Sequence, residues 1–199
     1  IMLIIKHRVN TVKELKTLPI EYGVEVDIRS NNKDLVISHD PFQNGEKLMD
    51  WLNEYNHAFI IFNIKEEGIE FILLDLIKKL KIKNYFLLDQ SFPFYIKNIK
   101  LFGKNSSIRI SEYECIETVL RLKNFTEWLW VDHFSVFPLN INQIKTLKSL
   151  KFKFCIVSPE LVNTNNVSEK ISFIKKKFKD ASIDIDAVCT KRIKDWNVQ

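Results

Sequence analysis

The alternation of apolar runs with helically spaced segments predicts an α/β protein, a compact (β/α)8 TIM barrel with shortened loops and little or no eighth helix. Three observations carry that expectation. Eight short apolar runs recur along the 199 residues. The stretches between them place apolar residues at helical intervals. Nearly every run ends in ionisable side chains, as the catalytic face of such a barrel would. An open doubly wound sheet is the rival architecture. At this length the chain reads as a single domain over residues 1–199.

The first run is "LIIKH" (3–7), followed directly by Arg8. Thr11 and Glu14 then have the spacing of a capping box and open a helix. "GVEVDI" (23–28) brings Glu25 and Asp27, with Arg29 next, and a further short run, "LVIS", leads into His39. "AFIIFNI" (58–64) ends at Asn63, with Lys65 just beyond. Over 68–82, Ile69, Ile72, Leu73, Leu76, Ile77 and Leu80 form one helical stripe. "NYFLLD" (84–89), "SSIRI" (106–110), "WLWVD" (128–132) and "FKFCIVS" (152–158) end near Asp89, Arg109, Asp132 and Glu160. Val167, Ile171, Ile174 and Phe178 repeat the helical stripe before "DAVCT" (186–190). The closing "KRIKDWNVQ" leaves little room for an eighth full helix.

Composition narrows the function. With 46% hydrophobic residues and 15 Phe, the chain can build a sizeable core. No run reaches the length of a membrane span. "IMLIIKHR" is too short and too soon charged for a signal peptide, so Met2 reads as the natural start, Ile1 as an addition before it, and the cytoplasm as the expected compartment. Cys155 and Cys189 lie in apolar runs and read as core thiols, and with Cys115 they offer no CxxC pair. The net charge of +5 raises nucleic acid as a partner, but 25 acids are interleaved with the 30 bases. "KKKFK" (175–179) reads as a solvated helix face. No specific nucleic acid is therefore expected; a small anionic substrate suits the charge. Four glycines cannot supply a dinucleotide fingerprint or a phosphate-cradling loop. GxSxG and HExxH are also absent.

What remains is a set of oxygen and nitrogen groups at run ends. Glu25 and Asp27, two apart on a strand, share one face and repel unless a cation separates them. Oxygen-only donors suit a divalent cation, Mg2+ or Ca2+; pairing with Arg8, Arg29 or Lys65 would satisfy the carboxylates equally. Asn63 and Lys65 repeat the same-face spacing. Asn63 can lend a carbonyl oxygen to a cation, and Lys65 can hold a phosphate oxygen, serve as a counter-ion or act as a Schiff-base nucleophile. His7 and His39 can divide acid and base roles near neutral pH. His57 and His133 read as surface or supporting groups.

Taken in order, "HR" (7–8), "NT" (10–11), "GVEVDI" (23–28), "HDP" (39–41) and "NIK" (63–65) resemble the glycerophosphodiester phosphodiesterases, and "SF" (91–92), "RISEY" (109–113), "WVD" (130–132), "VSPEL" (157–161) and "VCTK" (188–191) extend the likeness over nearly the whole chain. The resemblance implies a TIM barrel and metal-dependent hydrolysis of a phosphodiester. It makes His7 and His39 the acid–base pair, Glu25 and Asp27 metal ligands, and Arg8 and Lys65 phosphate-binding groups. "HDP" then belongs to an excursion after the second strand. Asn63 stands where the family usually has Glu, "NIK" resembling a variant of compact members, and Val9 stands where it usually has Gly. The expected substrate is a small glycerophosphodiester or a sugar or polyol phosphodiester, selected by Asp89, Arg109, Trp130, Asp132 and Glu160. A binding or regulatory module that kept the pocket without turnover is the alternative reading.

Overall fold

A computed structural model describes residues 2–162 and 165–197; Ile1 and the last two residues of "KRIKDWNVQ" lie outside that set. The ten strands are β1 Leu3–Lys6, β2 Gly23–Asn31, β3 Asp34–Ile37, β4 Glu46–Lys47, β5 Phe59–Ile64, β6 Tyr85–Leu88, β7 Ser107–Ile110, β8 Trp128–Val131, β9 Lys153–Val157 and β10 Ala187–Thr190. Each of the eight runs read from the sequence is a strand. The two additional strands, β3 and β4, flank "HDP", which is indeed an excursion after β2.

The chain divides into two compact units, Lys6–Phe102 and Ile1–Ile5 with Gly103–Gln199. In the first, the sheet order is β4-β3-β2-β5-β6. β2, β5 and β6 run parallel, whereas β3 and β4 pair antiparallel. Parallel register sets Asp27 opposite Asn63 and Asn63 opposite Leu88. All six residues of β5 are buried, the signature of a parallel strand covered on both faces. The helix Val12–Thr17 opens as expected: Thr11 Oγ1 accepts from Glu14 N at 3.1 Å. In Glu70–Lys79, Leu73 and Ile77 are buried but Ile72 is exposed, so the apolar stripe is narrower than its periodicity suggested.

In the second unit the order is β1-β10-β9-β8-β7, with β7 through β10 mutually parallel. The helix Ile141–Ser149 opens on a full capping box between Asn140 and Gln143. Val167–Ala181 buries Ile171, Ile174 and Phe178 of the expected stripe and leaves Val167 half-buried, and the Phe178 ring meets this sheet's Phe154. After β10 there is one helical turn, Ile193–Trp196, whose Trp196 is buried and donates from Nε1 to Ser158 Oγ at 2.7 Å. It is the last helix among the described residues. Cys155 and Cys189 are buried and Cys115 exposed, all three as free thiols. Among the described residues no helix is long and apolar enough to cross a membrane.

Candidate active site

β2 delivers Glu25 and Asp27 to one face, and both side chains are wholly buried. Such groups are costly without partners. Arg8 N donates to Glu25 Oε2 at 2.7 Å and Asn63 Nδ2 donates to Glu25 Oε1 at 2.8 Å. Asp27 Oδ2 accepts from Asn10 Nδ2 at 2.8 Å, and Asp27 N donates back to Asn10 Oδ1 at 3.1 Å. Lys65 Nζ lies 3.1 Å from Asp27 Oδ1, and Arg8 Nε 3.7 Å from Asp27 Oδ2. Of the three cations that could pair with these acids, Arg8 and Lys65 do so. Arg29 does not.

Burial, then the charge of Asp27, push the Glu25 pKa up to about 7, against the opposing pull of Asn63, the Arg8 N–H and Lys65. Two carboxylates share a space with incomplete neutralisation.

His7 and His39 both reach this cluster, in different states of bonding. His7 Nε2 lies 3.8 Å from Glu25 Oε2. His39 bonds through both ring nitrogens, to Arg8 through Nε2 and to Asp40 Oδ1 through Nδ1 at 2.7 Å. A guanidinium only donates. Nε2 is therefore the acceptor and Nδ1 carries the hydrogen given to Asp40, which fixes one neutral tautomer.

The backbone that presents these groups is held tightly. Arg8 has φ of 53°, left-handed for a non-glycine residue, which costs on the order of 1 kcal/mol and is sustained where Val9 N donates to Glu25 O at 2.8 Å. Trp51 Nε1 donates to Val9 O at 3.1 Å from the helix Leu48–Glu54. His39 lies in the loop joining β3 to β4. Arg29 donates to His39 O from Nε and Nη2, at 3.2 and 3.1 Å, and to Lys65 O from Nη1 at 3.1 Å. Gly45 closes the loop. A Cβ there would fall 1.9 Å from Ile37 O, so only glycine lets the chain return.

The donor set fits a divalent cation in its chemistry. Asn63 Oδ1 is buried and has no hydrogen-bond partner, while its amide nitrogen is committed to Glu25. With Glu25 and Asp27 it completes an oxygen-only set suited to Mg2+ or Ca2+. Among the described residues no group of three or more His, Cys, Asp and Glu side chains is arranged to hold a metal ion.

The first unit thus brings together His7, Arg8, Glu25, Asp27, His39, Asn63 and Lys65. Asp89, exposed and with φ of 57°, follows β6 in the same unit. In the second unit Arg109 and Trp130 are register partners on β7 and β8. Arg109 donates to Asp132, whose Oδ1 accepts from His133 N at 3.0 Å. Trp130 is buried. Glu160 accepts from Ser158 Oγ, from Thr190 Oγ1 and, at 2.9 Å, from Lys191 N. Burial opposes it, but these bonds hold Glu160 below the usual carboxylate range. His133 is buried against Val157 O, not on the surface, and burial lowers its pKa. His57 is half-buried and bonds to Leu18 O.

Two residues at the site were given no role by sequence reasoning, and a third was given a different one. Asn10 orients Asp27, Asp40 orients His39, and Arg29 joins the His39 loop to the end of β5. Asn10 lay within the quoted "NT" and Asp40 within "HDP", but the bonds they make depend on tertiary placement. Arg29 was read only as a counter-ion.

The arrangement of strands and helices defines an α/β fold carrying a cluster of histidines, buried carboxylates and basic side chains at strand ends. Glycerophosphodiester phosphodiesterases of known structure have this fold. The chain aligns with a glycerophosphoryl diester phosphodiesterase from Parabacteroides distasonis at a TM-score of 0.66 and 15% identity, over 98% of this chain and 85% of that one. It aligns with a glycerophosphodiester phosphodiesterase from Agrobacterium tumefaciens at a TM-score of 0.65 and 10% identity, over 98% and 99%. No protein-family model and no curated protein matches the sequence.

Proposed function

We propose that this protein is a phosphoric diester hydrolase of the glycerophosphodiester phosphodiesterase type, acting on a small glycerophosphodiester or a sugar or polyol phosphodiester. The observation that carries the reading is the convergence of two histidines, two buried carboxylates, Arg8 and Lys65 in one unit of a fold shared with such enzymes.

Glu25, Asp27 and Asn63 would hold a divalent cation. When bound, that ion polarises a phosphoryl oxygen and offsets developing negative charge. Arg8 and Lys65 hold the phosphate, Lys65 as a point charge and Arg8 through its fork of donors. His39 is neutral with its Nε2 lone pair available, so it takes the proton of the attacking hydroxyl or water once Arg8 turns to the substrate. Asp40 stabilises the imidazolium that results. His7, whose Nε2 lies 3.8 Å from Glu25 Oε2, is placed to deliver a proton to the departing alkoxide. Where the attacker is a neighbouring hydroxyl of the substrate, the P–O bond to the leaving alcohol breaks as a cyclic phosphate forms; where it is water, the monoester forms directly. Asp89 lies in the same unit for contact with the alcohol.

The test is turnover of glycerophosphodiesters by purified protein with Mg2+ or Ca2+, alongside His7→Ala and His39→Ala. Wild-type turnover well above both variants supports the hydrolase. Equal background-level turnover in all three supports the alternative motivated by Asn63, a phosphodiester-binding module without catalysis.

A further inference from the structure

Residues 90–105, "QSFPFYIKNIKLFGKN", contain no Asp or Glu and three Lys, in a chain with 25 acidic residues. They form two short helices after β6, Phe92–Lys97 and Ile99–Phe102. The break falls at Asn98, whose Nδ2 donates back to Phe94 O at 2.9 Å. The inward side is well anchored: Tyr95 and Phe102 are buried, and the rings of Phe94 and Phe102 meet Phe71 of the helix Glu70–Lys79 at 5.7 and 5.9 Å.

The outward side is different. Phe92, Ile96 and Leu101 are 49%, 41% and 58% exposed, and Lys97 and Lys100 are exposed beside them in sequence. Phe71, at the edge of the ring cluster, is 43% exposed; the carboxylates of its helix are Glu70, which is buried, and Asp75, one turn further on. Exposed bulky apolar residues in a basic segment without acids match a surface that meets anionic headgroups and an acyl boundary together. Lysine stems can lie along apolar surface while their ammonium groups reach phosphates. The segment leads straight off β6, whose Leu88 is the register partner of Asn63, so within this unit it adjoins the strand ends that carry the candidate site.

We propose that this face docks peripherally on an anionic lipid bilayer, through Phe92, Ile96 and Leu101 inserted at the interface and Lys97 and Lys100 on the headgroups. The inference does not depend on turnover. Vesicle binding can fail while phosphodiester hydrolysis is observed, and the reverse.

The experiment is co-sedimentation of the full chain with vesicles of phosphatidylcholine alone or mixed with phosphatidylglycerol. Binding to the mixed vesicles only, weakened by salt, is expected. Ile96→Glu with Leu101→Glu, and separately Lys97→Glu with Lys100→Glu, should each weaken it at least about tenfold. An unchanged thermal midpoint in the lysine pair shows that the loss is not unfolding. No binding to the anionic vesicles, equal binding to both kinds, or binding retained in both variant pairs overturns the proposal. So does a dimer in sedimentation velocity that Leu101→Glu abolishes while vesicles go unbound, which assigns the face to a second copy of the chain.

Discussion

Glu25→Gln removes one charge from the buried acidic pair while nearly keeping its shape. In the wild type, burial and the neighbouring Asp27 charge raise the Glu25 pKa from 4.5 to about 7. Between those values the folded protein holds a proton that the unfolded chain has released, so stability falls as pH rises through that window. One pH unit corresponds to about 1.4 kcal/mol, which makes the loss attributable to this group about 3 kcal/mol. The assay is urea unfolding in the presence of EDTA at a series of pH values, for wild type and variant. The wild type should lose that increment between about pH 4.5 and 7, and Glu25→Gln should show a flatter profile with the same dependence on urea. Saturating Mg2+ or Ca2+ favours the carboxylate form and should flatten the wild-type slope too. Coincident slopes in the two proteins without metal would refute the reasoning, because Glu25 would then titrate alike folded and unfolded.

Asn63→Asp should tighten binding of Ca2+ or Mg2+ by about tenfold through its added charge, and lower stability without metal, read as a larger cation-induced rise in thermal midpoint. Gly45→Ala drives a Cβ toward Ile37 O, which it would meet at 1.9 Å; a loss of about 2 kcal/mol is expected, seen as a lower midpoint together with reduced turnover from the displaced His39 loop. Arg29→Lys has one nitrogen where two carbonyls need donors, so kcat should fall about tenfold with a smaller change in KM, and added guanidinium should partly rescue Arg29→Ala.

The sequence made the parallel strands legible because each is a short apolar run ending in polar residues, and burial on both faces leaves little else that such a run can be. Glu25 and Asp27 were legible by the period of a strand alone. The excursion that carries His39 came only from the family resemblance, since β4 has two residues and no periodicity to detect. Ile72 was assigned to the core because spacing cannot show how wide a face its neighbours cover. The functions of Asn10, Asp40 and Arg29 were hidden for another reason: each acts through a bond to a partner whose direction is set by the fold. The tautomer of His39 belongs to that class, being fixed by Arg8 and Asp40 together.

The most direct measurement is a phosphorus NMR time course of a glycerophosphodiester incubated with the purified protein and Mg2+ or Ca2+. The account predicts that the diester resonance gives way to a monoester or a five-membered cyclic phosphate, and that His39→Ala leaves the diester intact. A diester resonance unchanged by the wild type, across glycerol and sugar phosphodiesters and with either ion, would contradict it.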